Sequence, residues 1–333
     1  MATPEGVSTF FATTHRQALA ARTIRAGQCL AGAAVKVSRS QPGGEQYLAL
    51  QALARQTGQG FEQLSVLYAL EGFLRRLASS NDREAFVLKG GVLLAAFDAR
   101  RPTRDADFLA LDLNNDRMII ETKIASIANI DAADGLVLDT SSVSSQVIRD
   151  EDEYSGIRVK LTYVLATMQL RVGIDINVGD PVYPAPQLTT VPGLLTRDVT
   201  VLGYPMAAVV AEKAVTAMQR GVANTRWRDW ADILTLARRY SFASHELAQA
   251  ITSVADHRGA EITPVAALLP SYPEIAQVKW AAWRRRPDVI DGLPESFTHV
   301  LIEVSQFIDP VIDGLAPDAV WNPIEAAWET RQA

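Results

Sequence analysis

Between residues 157 and 178 the chain alternates. In "GIRVKLTYVL", Ile157, Val159, Leu161, Tyr163 and Leu165 take every second place, with Arg158, Lys160 and Thr162 between them. In "LRVGIDINV", Leu170, Val172, Ile174, Ile176 and Val178 do the same, with Arg171, Gly173, Asp175 and Asn177 between. Side chains of a strand point to opposite faces in turn, so each run reads as a strand with one buried face. On either side the period lengthens. Leu64, Leu67, Leu70, Phe73 and Leu77 in "FEQLSVLYALEGFLRRLASS" recur every three or four residues and form an apolar helical stripe. "PMAAVVAEKAVTAMQRG" opens on Pro205, suited to a first helical turn, and closes on Gly221. "TRWRDWADILTLARRYS", "SHELAQAITSVADHRG" and "PESFTHVLIEVSQFIDPVI" read as further helices, and "SQPGGEQ" and "GDPVYPAP" as breaks. The expectation is an α+β protein: a helical N-terminal region over 1–85, a small mixed sheet over 86–200, and a mainly helical region over 201–333.

Inside the sheet region stands "FVLKGGVLLAAFDARRPTRDADF", which ends in two aspartates one residue apart. If Asp105 and Asp107 lie on a strand they face the same side, with Ala106 and Phe108 opposite. At roughly 7 Å and an effective dielectric near 20 the two charges repel by about 2 kcal/mol, and burial raises that cost. Taken alone, such a pair also suits a solvent-exposed strand edge whose acids are matched by Arg101 and Arg104. Two features favour a divalent cation instead. The Gly90–Gly91 pair follows a strand, where glycines let backbone N–H groups approach phosphate closely. Asp175 adds a third carboxylate on the polar face of a well-patterned strand, between Gly173 and Asn177. Mg²⁺ prefers oxygen ligands of this kind and completes its shell with water and phosphate.

The cations have a pattern too. The stretch 213–239 holds Lys213, Arg220, Arg226, Arg228, Arg238 and Arg239 against Asp229 and Asp232. Lys213, Ala217 and Arg220 share a helical stripe, and the small neighbours of Lys213 suit an inward-facing lysine. Arg238 and Arg239 read as a solvated helix face. In "VKWAAWRRRP", aromatics interleave with cations, which suits either helix packing by Trp280 and Trp283 or nucleic-acid contact by Arg284, Arg285 and Arg286. A net charge of −6 weighs against indiscriminate nucleic-acid binding but permits a local basic face. A single cysteine, Cys29, cannot form an internal disulfide. With neither a secretory leader nor a membrane-spanning run in view, a cytoplasmic location is expected. The four histidines lack zinc-ligand spacing, so no structural zinc is expected.

These blocks, in this order, resemble the DNA polymerase β-like nucleotidyltransferases. "FVLKGGVLLAAF…RPTRDADF", "YSGIRVKLTYVL", "IDINVGDPVYP" and "EKAVTAMQRGVANTRWRDWADI" are similar to the AbiEii toxin branch, which includes the mycobacterial MenT toxins. The similarity runs from about residue 60 to 240. Gly91 departs from the wider superfamily, where serine is frequent. The resemblance implies a nucleotidyltransferase core flanked by helices, with the helical C-terminal part contributing to the site. It implies that Gly90 and Gly91 hold an NTP through backbone N–H groups, with Thr103 lining the nucleotide pocket and Lys213 on the triphosphate. It implies that Asp105, Asp107 and Asp175 bind Mg²⁺, as a two-metal site, and that Asp175 helps deprotonate the attacking hydroxyl. Asp229 would be the last polar motif residue, with Asp232 as the alternative.

The activity so implied is that of a Mg-dependent toxin of a toxin–antitoxin system, moving NMP from an NTP to RNA, foremost the tRNA 3′ end. Translation would stop, and a cognate antitoxin protein would be the partner. A basic track from Arg100, Arg101 and Arg104 to Arg226 and Arg228 would carry the acceptor. Transfer to a protein or small-molecule hydroxyl, or a catalytically inactive binding scaffold, stand as the alternatives.

Overall fold

The computed structural model describes residues 36–149, 155–286, 289 and 292–330. Residues 1–35, which include Cys29 and begin the expected N-terminal helical region, lie outside the described residues.

Two helices come first, α1 (Gly44–Thr57) and α2 (Phe61–Ser79), followed by β1 (Phe86–Lys89) and a short helical turn, α3 (Gly90–Leu93). Next are β2 (Asp105–Ala110), α4 (Arg117–Ala128), β3 (Leu136–Leu138) and β4 (Ser144–Arg149). The long alternating runs become β5 (Ser155–Leu165) and β6 (Met168–Val178), and β7 (Gln187–Val191) and β8 (Val199–Gly203) complete the sheet. The order across it is β3-β5-β6-β2-β1-β8-β7, with β4 on the same edge of β5 as β3. The sheet is mixed: β2 runs parallel to β6 and β1 parallel to β8, while β1–β2, β5–β6 and β7–β8 are antiparallel. The α+β architecture expected from the two hydrophobic periods is therefore present.

The alternation translates directly into burial. Ile157, Val159, Leu161, Tyr163 and Leu165 are all buried, and so are Leu170, Val172, Ile174 and Ile176. Helix α2 departs from the single-stripe reading, because every residue from Leu64 to Leu74 is buried. It packs against β6 and β8 while α1 and α4 cover its other sides, so between Leu64 and Leu74 no face meets water. Its polar residues are buried with partners. Arg76 donates to Asp134 at 2.8 and 3.0 Å, and Glu71 accepts from Arg100 at 2.6 Å and from the Leu194 amide at 2.9 Å.

Beyond the sheet run α5 (Met206–Arg220), α6 (Trp227–Ala237), α7 (Ser244–Arg258), α8 (Tyr272–Arg284) and α9 (Phe297–Ile312). A hairpin of β9 (Ala319–Asn322) and β10 (Ala327–Thr330) follows them, which the sequence reading did not foresee. Helix α5 packs on α6 and α7, and α9 packs on α6, α7 and α8. An aromatic core of Trp227, Trp230, Tyr272, Trp280 and Phe297 joins α6, α8 and α9. This anchors the N-terminal turn of α6 and the C-terminal end of α8, both of which border the cavities described next. Among the described residues, no helix is long and apolar enough to cross a membrane.

Candidate active site

Parallel pairing of β2 with β6 sets Asp107 beside Asp175 and Asp105 beside Gly173. Two glycines leave room for two carboxylates. A Cβ on Gly173 would lie 2.2 Å from Asp105 Oδ1. A Cβ on Gly90, whose φ is +65°, would lie 2.0 Å from Asp107 Oδ2. Alanine at either place would need the acid to move, and at Gly90 it would also strain the backbone. The Gly91 amide donates a hydrogen bond to the Asp107 carboxylate. Thr103 Oγ1 donates to the Asp105 carbonyl at 2.9 Å, which ties the approach to β2.

Burial and the neighbouring charge of Asp175 push the Asp107 carboxyl up to about 6. Burial also raises Asp105, against the pull of Arg158. Arg158, directly opposite Asp175 across the β5–β6 hairpin, donates from Nε to Asp175 Oδ1 at 2.7 Å and from Nη2 to Oδ2 at 2.5 Å. It reaches Asp105 Oδ2 at 3.5 Å. Those hydrogen bonds, outweighing desolvation, hold its guanidinium above the ordinary value.

The donor set suits a hard divalent cation. Asp105, Asp107, Asp175 and the Asn177 amide line one cavity of about 650 Å³, all of them oxygen-bearing. As they stand, the described residues include no group of three His, Cys, Asp or Glu side chains gathered closely enough to hold an ion, and Arg158 engages both oxygens of Asp175.

Lys213 is buried on α5, with Asp229 Oδ1 at 3.0 Å and Asp232 Oδ2 at 2.7 Å. Burial disfavours its charge, but the two acids win and raise it above the ordinary lysine value. Asp229 also accepts from Arg226 Nε at 2.6 Å. Burial pushes its carboxyl up, yet Lys213 and Arg226 bring it down to about 2. Of the two motif acids, Asp229 lines the cavities that hold the other candidates, while Asp232 faces a separate pocket beside Arg101 and Arg228.

Two cavities meet here. The smaller, about 190 Å³, is lined by Gly90, Gly91, Lys213, Thr216 and Arg258. The larger holds Asp105, Asp175, Thr103, Arg158, Arg228 and Trp283. Gly91, Arg101, Asp107, Asn177, Arg226 and Asp229 border both. Candidate residues from β2, β6, α5 and α6 are thus brought to one junction.

Other expectations fall elsewhere. Arg104 lies outside the cavities, exposed and 3.2 Å from Glu62. Arg100 turns to Glu71 and the Pro192 carbonyl. Arg238 pairs with Glu303, and Arg239 reaches the Asp98 carbonyl. In "VKWAAWRRRP" the roles divide. Trp280 is fully buried and donates to the Pro294 carbonyl at 3.1 Å, whereas Trp283 and Arg286 face the larger cavity.

Arg158 and Lys89 belong to the site although the sequence reading assigns them no role in it. Lys89, buried at the end of β1 just before Gly90, donates to Asp180 and Glu212 at 2.8 Å each. Burial works against its charge, but Glu212 foremost among its neighbours raises it well above the ordinary value. It anchors the glycine turn to α5 and to the chain after β6. The visible signal was a lysine closing an apolar strand directly ahead of Gly-Gly.

A family model described as the nucleotidyl transferase AbiEii toxin of a type IV toxin–antitoxin system matches residues 72–302. No curated protein matches the chain. Solved structures do. MenT4, a nucleotidyltransferase toxin of Mycobacterium tuberculosis, is 15% identical with a TM-score of 0.48, over 81% of this chain and 91% of that one. JHP933 from Helicobacter pylori is 15% identical with a TM-score of 0.46, over 81% of this chain and 94% of that one.

Proposed function

We propose that this chain, which belongs to the AbiEii family of nucleotidyltransferase toxins, transfers a nucleoside monophosphate from an NTP to an RNA acceptor, the tRNA 3′ end above all, and thereby blocks translation. The observation that carries the reading is the junction of the two cavities at Asp107 and Asp229. A donor triphosphate and an acceptor hydroxyl need separate seats that touch at one phosphorus, and two cavities with a shared border support that reading.

On this reading the smaller cavity takes the triphosphate. Gly90 and Gly91 let the phosphates approach the backbone closely, and Lys213 and Arg258 face the cavity with positive charge. The larger cavity takes the acceptor. Its hydroxyl oxygen attacks the α-phosphorus and forms the new P–O bond. The bond to the β-phosphate oxygen breaks, and pyrophosphate leaves with the electron pair. The hydroxyl proton passes to Asp175, once Arg158, which engages both its oxygens in the free chain, has given way. Asp105, Asp107 and Asp175 would hold Mg²⁺, which when bound supplies charge stabilisation at the attacking and leaving oxygens. The protein's own share is positioning and preorganised charge. Arg101, Arg226 and Arg228, which line the larger cavity, would meet acceptor phosphates. Family membership supports a cognate antitoxin as the natural partner.

The test is incubation with each α-labelled NTP in turn, together with total tRNA, total protein or aminoglycosides, followed by sequencing of tRNA 3′ ends. Label in RNA with an added 3′ nucleotide is expected. Label confined to protein or to a small molecule would sink the assignment.

A further inference from the structure

The larger cavity is built unevenly, and its outer wall has features that the chemistry above does not use. Trp283, near the C-terminal end of α8, lines this cavity and also a neighbouring pocket of about 130 Å³. Its indole is backed by Trp280, with ring centroids 5.2 Å apart. Arg228 and Arg286 border both spaces. Arg228 forms no hydrogen bond or ion pair among the described residues. Partial desolvation, then the charge of Arg101, lower its guanidinium from the ordinary value. Asp229 and Asp232 favour its charge but lie beyond ion-pair distance, so its N–H donors are left for an added anion. Arg226 and Arg158, by contrast, are held by Asp229 and Asp175.

A braced indole beside an arginine whose N–H groups make no bond among the described residues is a stacking platform next to a phosphate seat. Nucleobases present a flat π-face, and successive bases are joined by phosphates at a matching spacing. The position is also informative. The wall belongs to the larger cavity, with Asp105 and Asp175, and not to the smaller one with Gly90 and Lys213. It therefore belongs with the acceptor and not with the triphosphate. Double-stranded RNA presents its bases stacked and paired, so an unpaired segment is what offers a base face to a wall inside a cavity, and attack by a terminal hydroxyl places that segment at a 3′ end.

We propose that Trp283, with Arg228 and Arg286, forms a stacking subsite for a nucleobase of a single-stranded RNA 3′ end, placing the terminal hydroxyl beside Asp175. This rests on the RNA reading above and deepens it.

The experiment measures fluorescence anisotropy of a labelled single-stranded RNA of about ten nucleotides, within the usual site size, alongside the affinity of a fluorescent NTP analogue. Trp283→Ala is expected to weaken RNA binding about tenfold, within the range of one lost stack. Trp283→Phe restores most of it, because it keeps a π-face. Arg228→Gln and Arg286→Gln each weaken RNA binding and reduce its salt dependence by about one counterion. NTP affinity stays within about twofold throughout, far inside the tenfold that a lost stack represents. Because Trp283 also packs on Trp280, the two arginine variants decide the matter if Trp283→Ala unfolds. Unchanged RNA affinity in both would overturn the subsite, and so would loss of NTP affinity in place of RNA affinity. A wild-type protein that labels RNA while these variants bind it normally overturns the subsite alone. A wild-type protein that labels only protein overturns the RNA reading and the subsite together.

Discussion

Arg158 and Asp175 face each other across the β5–β6 hairpin, and the guanidinium engages both carboxylate oxygens, at 2.7 and 2.5 Å. Those are the oxygens that a divalent cation would take. Fork and ion therefore compete. Arg158→Gln should bind Mn²⁺ more tightly than the wild type by about tenfold, equivalent to about 1.4 kcal/mol. Arg158→Lys, which keeps the charge but not the planar fork, should fall between them. Titration by electron paramagnetic resonance checks this without reference to turnover, and equal Mn²⁺ affinity in all three proteins would refute the competition.

Asp105 lies at the mouth of the carboxylate group, with its side chain 39% exposed. Removing it should cost little stability. Asp105→Ala is expected to lower nucleotide incorporation by at least about a hundredfold, the usual scale for a lost charge-stabilising group. Growth inhibition on expression should disappear with it, while the melting temperature stays within a few degrees. A fully toxic Asp105→Ala would contradict the site assignment.

Gly90→Ala and Gly173→Ala test the space left for the acids. At Gly90 both the positive φ and the 2.0 Å approach to Asp107 are unfavourable, so a stability loss of roughly 1–2 kcal/mol should accompany the loss of activity. At Gly173 only Asp105 is displaced, so activity should fall with a smaller change in the urea midpoint. Wild-type turnover by either variant would show that the carboxylate positions do not matter.

A pH effect is expected away from the site. Burial pushes the Asp134 carboxyl up, but the hydrogen bonds and charges of Arg76 and Arg75 outweigh it and hold it below the ordinary 3.8. A carboxylate depressed in the folded state contributes stability above its unfolded pKa and loses it as pH falls through the folded one. Asp134→Asn leaves Arg76, whose side chain is 2% exposed, without its counter-charge, and should cost about 3–5 kcal/mol at pH 7. The gap between wild type and variant in urea melts should hold down to about pH 5 and narrow below 3.8. A gap independent of pH would assign the effect to packing alone.

The two hydrophobic periods made the α+β class legible, because burial on one face of β5 and β6 is written into every second residue. The Asp105, Asp107 and Asp175 candidates were legible as residue types, but their meeting depends on β2 lying parallel to β6, a pairing between distant segments. Arg158 was overlooked for a local reason. The turn Ala166–Thr167 sets Leu165 against Met168, and counting back from there pairs Arg158 with Asp175. The turn lacks the glycine or asparagine that marks most two-residue hairpins, and Ala166 itself takes the positive φ, at 54°. Helix α2 shows a converse effect. Its polar residues suggested a wet face, whereas Arg76 and Glu71 are buried and matched by partners far along the chain. Trp283 and Arg286 could not be sorted from Trp280 and Arg284 by spacing alone, since only the docking of α8 beside α6 decides which of them meet the cavity.

The shared border of the two cavities bears on the order of events. If donor and acceptor enter by different mouths, neither must leave before the other arrives, and the chain has no need to carry the nucleotide itself. Initial rates with both substrates varied should then give intersecting double-reciprocal lines and not the parallel lines of a ping-pong cycle. The enzyme would act as a meeting place, with Asp107 and Asp229 at the threshold between two rooms.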